Sequence, residues 1–417
     1  MTQALPDFER MWADLAPIGR SAASGGYFRQ PWAAADQELR AWFAEQAAAR
    51  GLGLTEDAFG NLVAWCGASG EPGAQRAEGE PTTGRAVLTG SHLDSVLDGG
   101  AFDGPLGIVS AFAALDLLRA RGLRPARPLA IAAFAEEEGS RFGRACLGSR
   151  LAVGAADWSE VAGLTDDRGV RLGDLVPGGP AEPWLAEIGC YLELHVEQGR
   201  ALVDLGAPVG VAAGIWPHGR WRFDVTGRAD HAGTTRMEDR ADPMLTYAMT
   251  ALAANKQARL AGQRATFGRL EVSPNGTNAV PGHLRAWLDA RADNESDLHA
   301  MVAGIQTQAE ARAKRDGTRV EVTAESVSGA VSFDEPLARR VAGAVAGGDR
   351  ARVRRLPVLP TQAGHDAGIL QAAGVSSAML FVRNPTGISH APEEFAPMAD
   401  CLAGVEALAD ALAELLA

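Results

Sequence analysis

Ala86-Val87-Leu88-Thr89-Gly90-Ser91-His92-Leu93-Asp94-Ser95 carries a short apolar run into a histidine and a carboxylate. The run Ala86 to Thr89, closed by Gly90, has the pattern of a buried strand. A glycine-rich loop follows, Gly99-Gly100-Ala101-Phe102-Asp103-Gly104, which sets Asp103 eleven residues after His92. Leu106 to Arg121 is rich in Ala and Leu with no breaker after Gly107, and predicts a helix. Pro128 to Phe134 predicts a second apolar strand. Strand, helix and strand in that order indicate an α/β layer with a parallel component. In such sheets ligands collect outside the carboxyl ends of the strands, where His92 falls.

Further polar residues fall at strand ends. Glu136-Glu137-Glu138 follows the second strand, and His195 ends another apolar run. A lone histidine is more often a packed or surface residue, but imidazoles and carboxylates converging from several strand ends make a divalent-metal site. Asp103 can bind through both carboxylate oxygens and so bridge two ions, which lie ~3.5–4 Å apart in two-metal sites. Three adjacent acids repel one another unless a cation or water screens them. Neighbours in an extended segment point to opposite faces, but a turn beginning at Gly139 can bring two together. One carboxylate then binds metal while its neighbour acts as general base. The plainer alternative is an acidic cluster complementing a helix N-terminus.

Composition bounds the rest. A chain of 417 residues predicts two domains. The net charge of −13 argues against nucleic acid, because phosphate binding needs a basic surface. Four scattered cysteines (Cys66, Cys146, Cys190, Cys401) form no C-x-x-C pair, which suits a reducing cytosol and speaks against a disulfide scaffold or thiolate zinc. The N-terminal segment lacks a basic stretch followed by an apolar one, and no apolar run is long enough to span a bilayer. The expectation is a cytoplasmic protein with no membrane partner.

Residues 7–50 predict an amphipathic helix ending near Gly51, and a polar loop is expected near 68–85. From 214 to 328 the pattern changes: a strand at Trp221 to Thr226, a helix from Asp242 (N-cap, with Pro243 in the first turn) to Leu260, strands at Ala265 to Val272 and His283 to Ala290, a helix at Ser296 to Arg315, and a strand at Thr318 to Ala324. The order β-α-β-β-α-β is that of a ferredoxin-like module. The expected organisation is a catalytic domain in two parts, 1–213 and 329–417, interrupted by an inserted domain, 214–328. The second part returns with a strand at Ser377 to Val382 and a final Ala/Leu-rich helix.

Gly-Ser-His-Leu-Asp-Ser at 90–95, Gly-Ala-Phe-Asp-Gly at 100–104, Ala-Glu-Glu-Glu-Gly-Ser-Arg-Phe at 135–142, Glu-Leu-His-Val-Glu-Gln-Gly at 193–199, His-Ala-Gly-Thr-Thr at 231–235 and Gly-Ile-Ser-His at 387–390 together resemble the M20 amidohydrolases. That branch comprises N-carbamoyl-L-amino-acid hydrolases, β-ureidopropionases and allantoate amidohydrolases. The resemblance covers nearly the whole chain. It implies a metallopeptidase-like α/β catalytic domain, its mixed sheet flanked by helices, with an inserted ferredoxin-like dimerisation (lid) domain. It implies two divalent metals, zinc or manganese before cobalt or nickel, held by His92, bridging Asp103, Glu138, His195 and His390. Glu137 would be the general base. Asp94 would orient His92 without ligating.

The resemblance further implies a homodimer in which His231 reaches across the interface to stabilise an oxyanion. Gln198, Asn278 and Arg291 would hold an amide and a carboxylate of a small ureido or N-acyl acid, Arg291 through its planar fork. Gly364, His365 and Asp366 are further substrate-contact candidates, while His218, His283 and His299 lack motif support. Three departures stand out: Arg236 where the family run has proline, Thr361-Gln362 where Ser-Gly is usual, and a shorter segment between Glu138 and His195. They bear on the substrate, because the altered positions flank the pocket. The implied reaction is hydrolysis of a carbamoyl or ureido C–N bond. The alternatives are an N-formyl or N-acyl amino acid hydrolase, a dipeptidase of the same clan, or a binding protein with a dead site.

Overall fold

The computed structural model describes residues 5–66, 85–348 and 356–417. The chain forms two compact units, one of Met1–Gly214 with Ser332–Ala417 and one of Ile215–Val331. Residues 68–84 of the expected polar loop lie outside the described residues.

The first unit is built on a mixed sheet. A hairpin of β1 (Gly53–Glu56) and β2 (Leu62–Cys66) leads to β3 (Ala86–His92), β4 (Leu129–Phe134), β5 (Ile188–Val196) and β6 (Val209–Ile215). β3 pairs parallel with both β4 and β5, so their carboxyl ends share one edge. β3 and β4 are buried at every residue, as continuous apolar runs covered on both faces require. The helix Pro105–Ala120 joins β3 to β4, and its residues from Pro105 to Leu115 are buried. β3 runs past Gly90 to His92 because Gly90 takes φ +142 and packs onto the Ala132 carbonyl, where a Cβ has no room.

The N-terminal segment departs from the single predicted helix. Two helices form, Leu5–Leu15 and Ala34–Ala49. Between them lie Pro17, Gly19, Gly25, Gly26 and Pro31, which break helical hydrogen bonding. The intervening strap is anchored by Arg29, which is 1 % exposed and donates to the carbonyls of Ile18 and Leu15.

The second unit has the expected element order. Its sheet runs β12-β7-β11-β9, with β7 (His218–Thr226), β9 (Arg264–Ser273), β11 (His283–Arg291) and β12 (Arg319–Ser328) all antiparallel to their neighbours. β8 (Asp230–His231) and β10 (Ala279–Val280) make a separate small ribbon. The helix Pro243–Ala261 starts where Asp242 accepts from the Met244 N–H, and Gly262 ends it in the left-handed region. The helix Glu295–Asp316 is capped in the same way by Asn294. Their apolar faces cover Leu284, Leu288, Phe223 and Val225 of the sheet.

The chain then returns to the first unit through β13 (Val331–Ser332), β14 (Val358–Thr361) and β15 (Ser377–Val382). β15 lies parallel to β5 and antiparallel to β6. The terminal helix Met398–Leu416 buries Leu408, Leu412 and Leu415 in the main core.

Candidate metal centre

The two oxygens of Asp103 face two different sets of ligand atoms. Oδ1 lies 3.5 Å from His92 Nε2 and 3.2 Å from His195 Nε2. Oδ2 lies 3.5 Å from His390 Nε2, which is in turn 3.3 Å from Glu138 Oε2. His92 comes from the end of β3, His195 from the end of β5, and Glu138 from the turn after β4. His390, half exposed, stands on a loop at φ +58, a conformation that costs a β-carbon-bearing residue energy. Asp103 is held by Glu394, whose Oε1 accepts the N–H groups of Phe102 and Asp103 at 2.8 and 2.9 Å. Gly104, at φ +86, lies against the His92 ring so closely that no side chain fits there.

The donor set fits divalent cations. His92 donates Nδ1–H to the Asp94 carbonyl at 3.1 Å, and His195 donates Nδ1–H to the Val196 carbonyl at 2.9 Å. In that tautomer each Nε2 presents a lone pair to a carboxylate oxygen, which repels unless a cation lies between. Both Nε2 atoms, and Glu138 Oε1, are buried without a hydrogen-bond partner among the described residues. Burial, with Asp103 close by, lifts Glu138 to about 7. Burial also drives Glu137 well above the usual carboxylate range, against the pull of His92. Burial opposes charge on His390, but Asp103 and Glu138 outweigh it and raise that imidazole to about 9. The site as a whole calls for positive charge.

Asp94 couples the two loops. Its oxygens accept the N–H groups of Glu137 and Glu138 at 3.2 and 3.1 Å, and Oδ1 lies 3.5 Å from His92 Nδ1. Glu137 is buried with Oε2 3.7 Å from His92 Nε2, beside the ligands. Gln198 donates Nε2–H to Asp103 Oδ2 at 2.7 Å, so it braces that carboxylate. His365 is buried with its ring centroid 4.5 Å from that of His195, and Gly364 precedes it.

Three other expected site residues belong to the second unit. His231 on β8 pairs with Ala279 on β10, which brings Asn278 alongside: its carbonyl accepts the Ala232 N–H at 2.9 Å. His231 Nδ1 accepts from the N–H groups of Gly233 and Thr234 at 3.0 and 3.1 Å. That fixes the neutral ring's proton on Nε2, which makes the exposed edge a donor. Arg291 at the end of β11 makes a two-point pair with Asp289, at 2.7 and 3.0 Å.

Residues 88–414 match the model described as Peptidase family M20/M25/M40. The chain belongs to this family. An N-carbamoyl-L-amino acid amidohydrolase of Geobacillus stearothermophilus is 32% identical over 96% of both chains. The allantoate amidohydrolase of Escherichia coli is 30% identical over 96% of this chain and 95% of its own. Among solved structures, a hydantoinase/carbamoylase family amidase from Burkholderia vietnamiensis has a TM-score of 0.85 at 27% identity, covering 98% and 97% of the two chains.

In this M20 chain the residues that sequence reasoning missed all support others. Glu394 was hidden because the N–H groups of Phe102 and Asp103 that it holds lie 292 and 291 residues away along the chain; its only local signal is an acid four residues after His390. Glu193, two residues before His195 and so on the same face of β5, accepts from Ser91 Oγ at 2.8 Å and the Ala367 N–H at 3.0 Å. Asp366, by contrast, was a candidate beside Gly364 and His365; it is fully buried and pushed to about 8, by burial first and by Glu193 next.

Proposed function

We propose that this M20 protein is a cytoplasmic, homodimeric, two-metal amidohydrolase that cleaves a C–N bond of allantoate or an N-carbamoyl-L-amino acid. The observation that carries the reading is Asp103, which offers one oxygen to His92 and His195 and the other to His390, with Glu138 beside that imidazole. The N-carbamoyl amino acid and allantoate amidohydrolases among its relatives support the substrate class. Its four free cysteines suit a reducing compartment.

Residues His92, Asp103, His195, Glu138 and His390 would hold the two ions, which supply carbonyl polarisation and a more acidic water when bound. Glu137 takes the proton from the attacking water at Oε2 and returns one to the leaving nitrogen. Asp94 fixes the backbone from which Glu137 and Glu138 project. Gln198 keeps Asp103 turned toward both ligand sets. The His231 Nε2–H donates to the developing oxyanion from the partner subunit, Asn278 holds the substrate's amide, and Arg291 exchanges its two-point pair with Asp289 for the substrate's carboxylate.

The test is ammonia release and amino-acid formation measured across allantoate, N-carbamoyl, N-formyl and N-acyl amino acids, and dipeptides. Protein stripped with chelator and reloaded singly with zinc, manganese, cobalt or nickel is the sample. Turnover of a ureido or carbamoyl substrate that disappears with the metal and returns with it is expected. Preference for dipeptides or N-acyl amino acids over every ureido compound overturns the substrate class.

A further inference from the structure

The segment that presents Glu137 doubles back on itself. Gly148 N–H donates to the Ala135 carbonyl at 2.9 Å, Leu147 N–H to Glu136 at 3.0 Å and Cys146 N–H to Glu137 at 2.6 Å. The reversal uses left-handed backbone at Glu136 (φ +53), Gly139 (φ +66) and Cys146 (φ +54). At Gly139 a Cβ would lie 2.7 Å from the backbone of Arg144 and Ala145, so only glycine allows the loop to close this tightly. The Cys146 carbonyl in turn accepts from Ser149 Oγ at 3.1 Å, and that hydroxyl sits 2.5 Å from Asp366 Oδ1.

This backbone ladder sets the Cys146 thiol against the Glu137 carboxylate. Sγ lies 3.2 Å from Oε1, and both residues are buried. A glutamate's last torsion is broad and roughly two-fold, so fixing the backbone does not aim the carboxylate. Aim comes from whatever holds one of the two oxygens. A thiol is a weak donor, but its acceptor here is a carboxylate shielded from water, where a hydrogen bond is stronger.

We propose that Cys146 is a positioning residue for Glu137: its S–H holds Oε1 and leaves Oε2 turned toward His92 as the oxygen that handles the proton. The proposal rests on the reading of Glu137 as general base. It sets a donor requirement at position 146, distinct from any packing requirement.

The experiment compares Cys146→Ser and Cys146→Ala in the metal-loaded enzyme, on the carbamoyl or ureido substrate that the wild type turns over. The two are nearly equal in volume, and neither is β-branched at this left-handed position, so they differ in the donor alone. The expected pattern is kcat lowered about tenfold in Ala with KM within about twofold, and most of kcat recovered in Ser. If packing were the role, Ala and Ser would lose activity together; that pattern overturns the proposal, as does wild-type kcat in Ala. Should the Ala variant fail to fold, Ser decides alone: kcat near wild type is expected, and an about tenfold loss in the folded Ser variant overturns the proposal. Glu137→Gln is run beside them. An inactive Glu137→Gln with donor-independent Cys146 variants removes the positioning role alone, whereas a fully active Glu137→Gln removes both readings.

Discussion

Single side chains in this site are assigned by which atom faces what. Glu137 and Glu138 are neighbours, yet Glu138 Oε2 lies 3.3 Å from His390 while Glu137 Oε2 lies on the His92 side, 3.7 Å from that imidazole. The bond of Asp94 to both of their N–H groups holds this division in place. Glu137→Gln keeps the shape and an acceptor for the thiol but cannot take a proton. We expect kcat to fall by on the order of 10²–10⁴ with both metals retained by elemental analysis; wild-type turnover would remove the general-base role. Among the proposed ligands, His92, Asp103 and His195 were legible as candidates because each ends an apolar strand or sits in a glycine-rich loop, where a packed residue has no reason to be polar; Glu138 was legible only as one of three adjacent acids. His390 was legible only through its motif, since it sits in an irregular loop. Glu394 and Cys146 were not legible, because their partners are brought to them by chain reversals that periodicity does not encode.

At the scale of elements, two glycines decide whether β3 and its loop can carry a metal ligand. Gly90 lets β3 press against β4, and Gly104 lets the loop pass beneath the His92 ring. We expect Gly104→Ala to displace that ring, lowering metal content from two ions toward one per chain and lowering Tm; full metal content at wild-type Tm would contradict the assignment. The apolar strands and the capped helices of the second unit were readable from period and capping alone. The predicted 7–50 helix was not, because an amphipathic pattern persists on both sides of a strap whose course is set by the buried Arg29. Asp36, in the first turn of the helix Ala34–Ala49, carries a pH signature. Burial raises its pKa to about 6, with Arg40 opposing. Its folded pKa exceeds the unfolded value, so the native state binds the extra proton and stability falls as pH rises from about 4 through 6. The cost above that window is at most about 3 kcal/mol. Asp36→Asn can still accept the Trp32 N–H and carries no charge. Its Tm should gain on wild type between pH 5 and pH 8, by calorimetry at several pH values; a constant difference would rule out titration of Asp36 as the cause.

For the whole molecule, the question is whether one subunit contains everything the reaction needs. The first unit carries the proposed metal ligands and Glu137, and the proposed oxyanion donor, His231, belongs to the second unit. Its ring is held by two backbone N–H groups on Nδ1, which makes Nε2 a committed donor while the ring stays neutral. A donor preset in this way is what oxyanion stabilisation needs, and removing one typically costs ~2.7–4 kcal/mol of barrier stabilisation. If that donor serves the partner's metal centre, function divides between chains in a way that mixing experiments detect. A Glu137→Gln subunit still offers His231, and a His231→Ala subunit still offers Glu137. In a two-fold symmetric heterodimer of the two, one site lacks both groups and the other has both. Random exchange makes half of the dimers mixed, so about a quarter of the wild-type sites should become active. We expect that fraction of wild-type turnover from two nearly inactive homodimers, once native mass spectrometry verifies subunit exchange. Turnover that stays at the level of the separate parents after verified exchange would place the oxyanion donor within the same subunit as Glu137, and the dimer would then have no part in the chemistry.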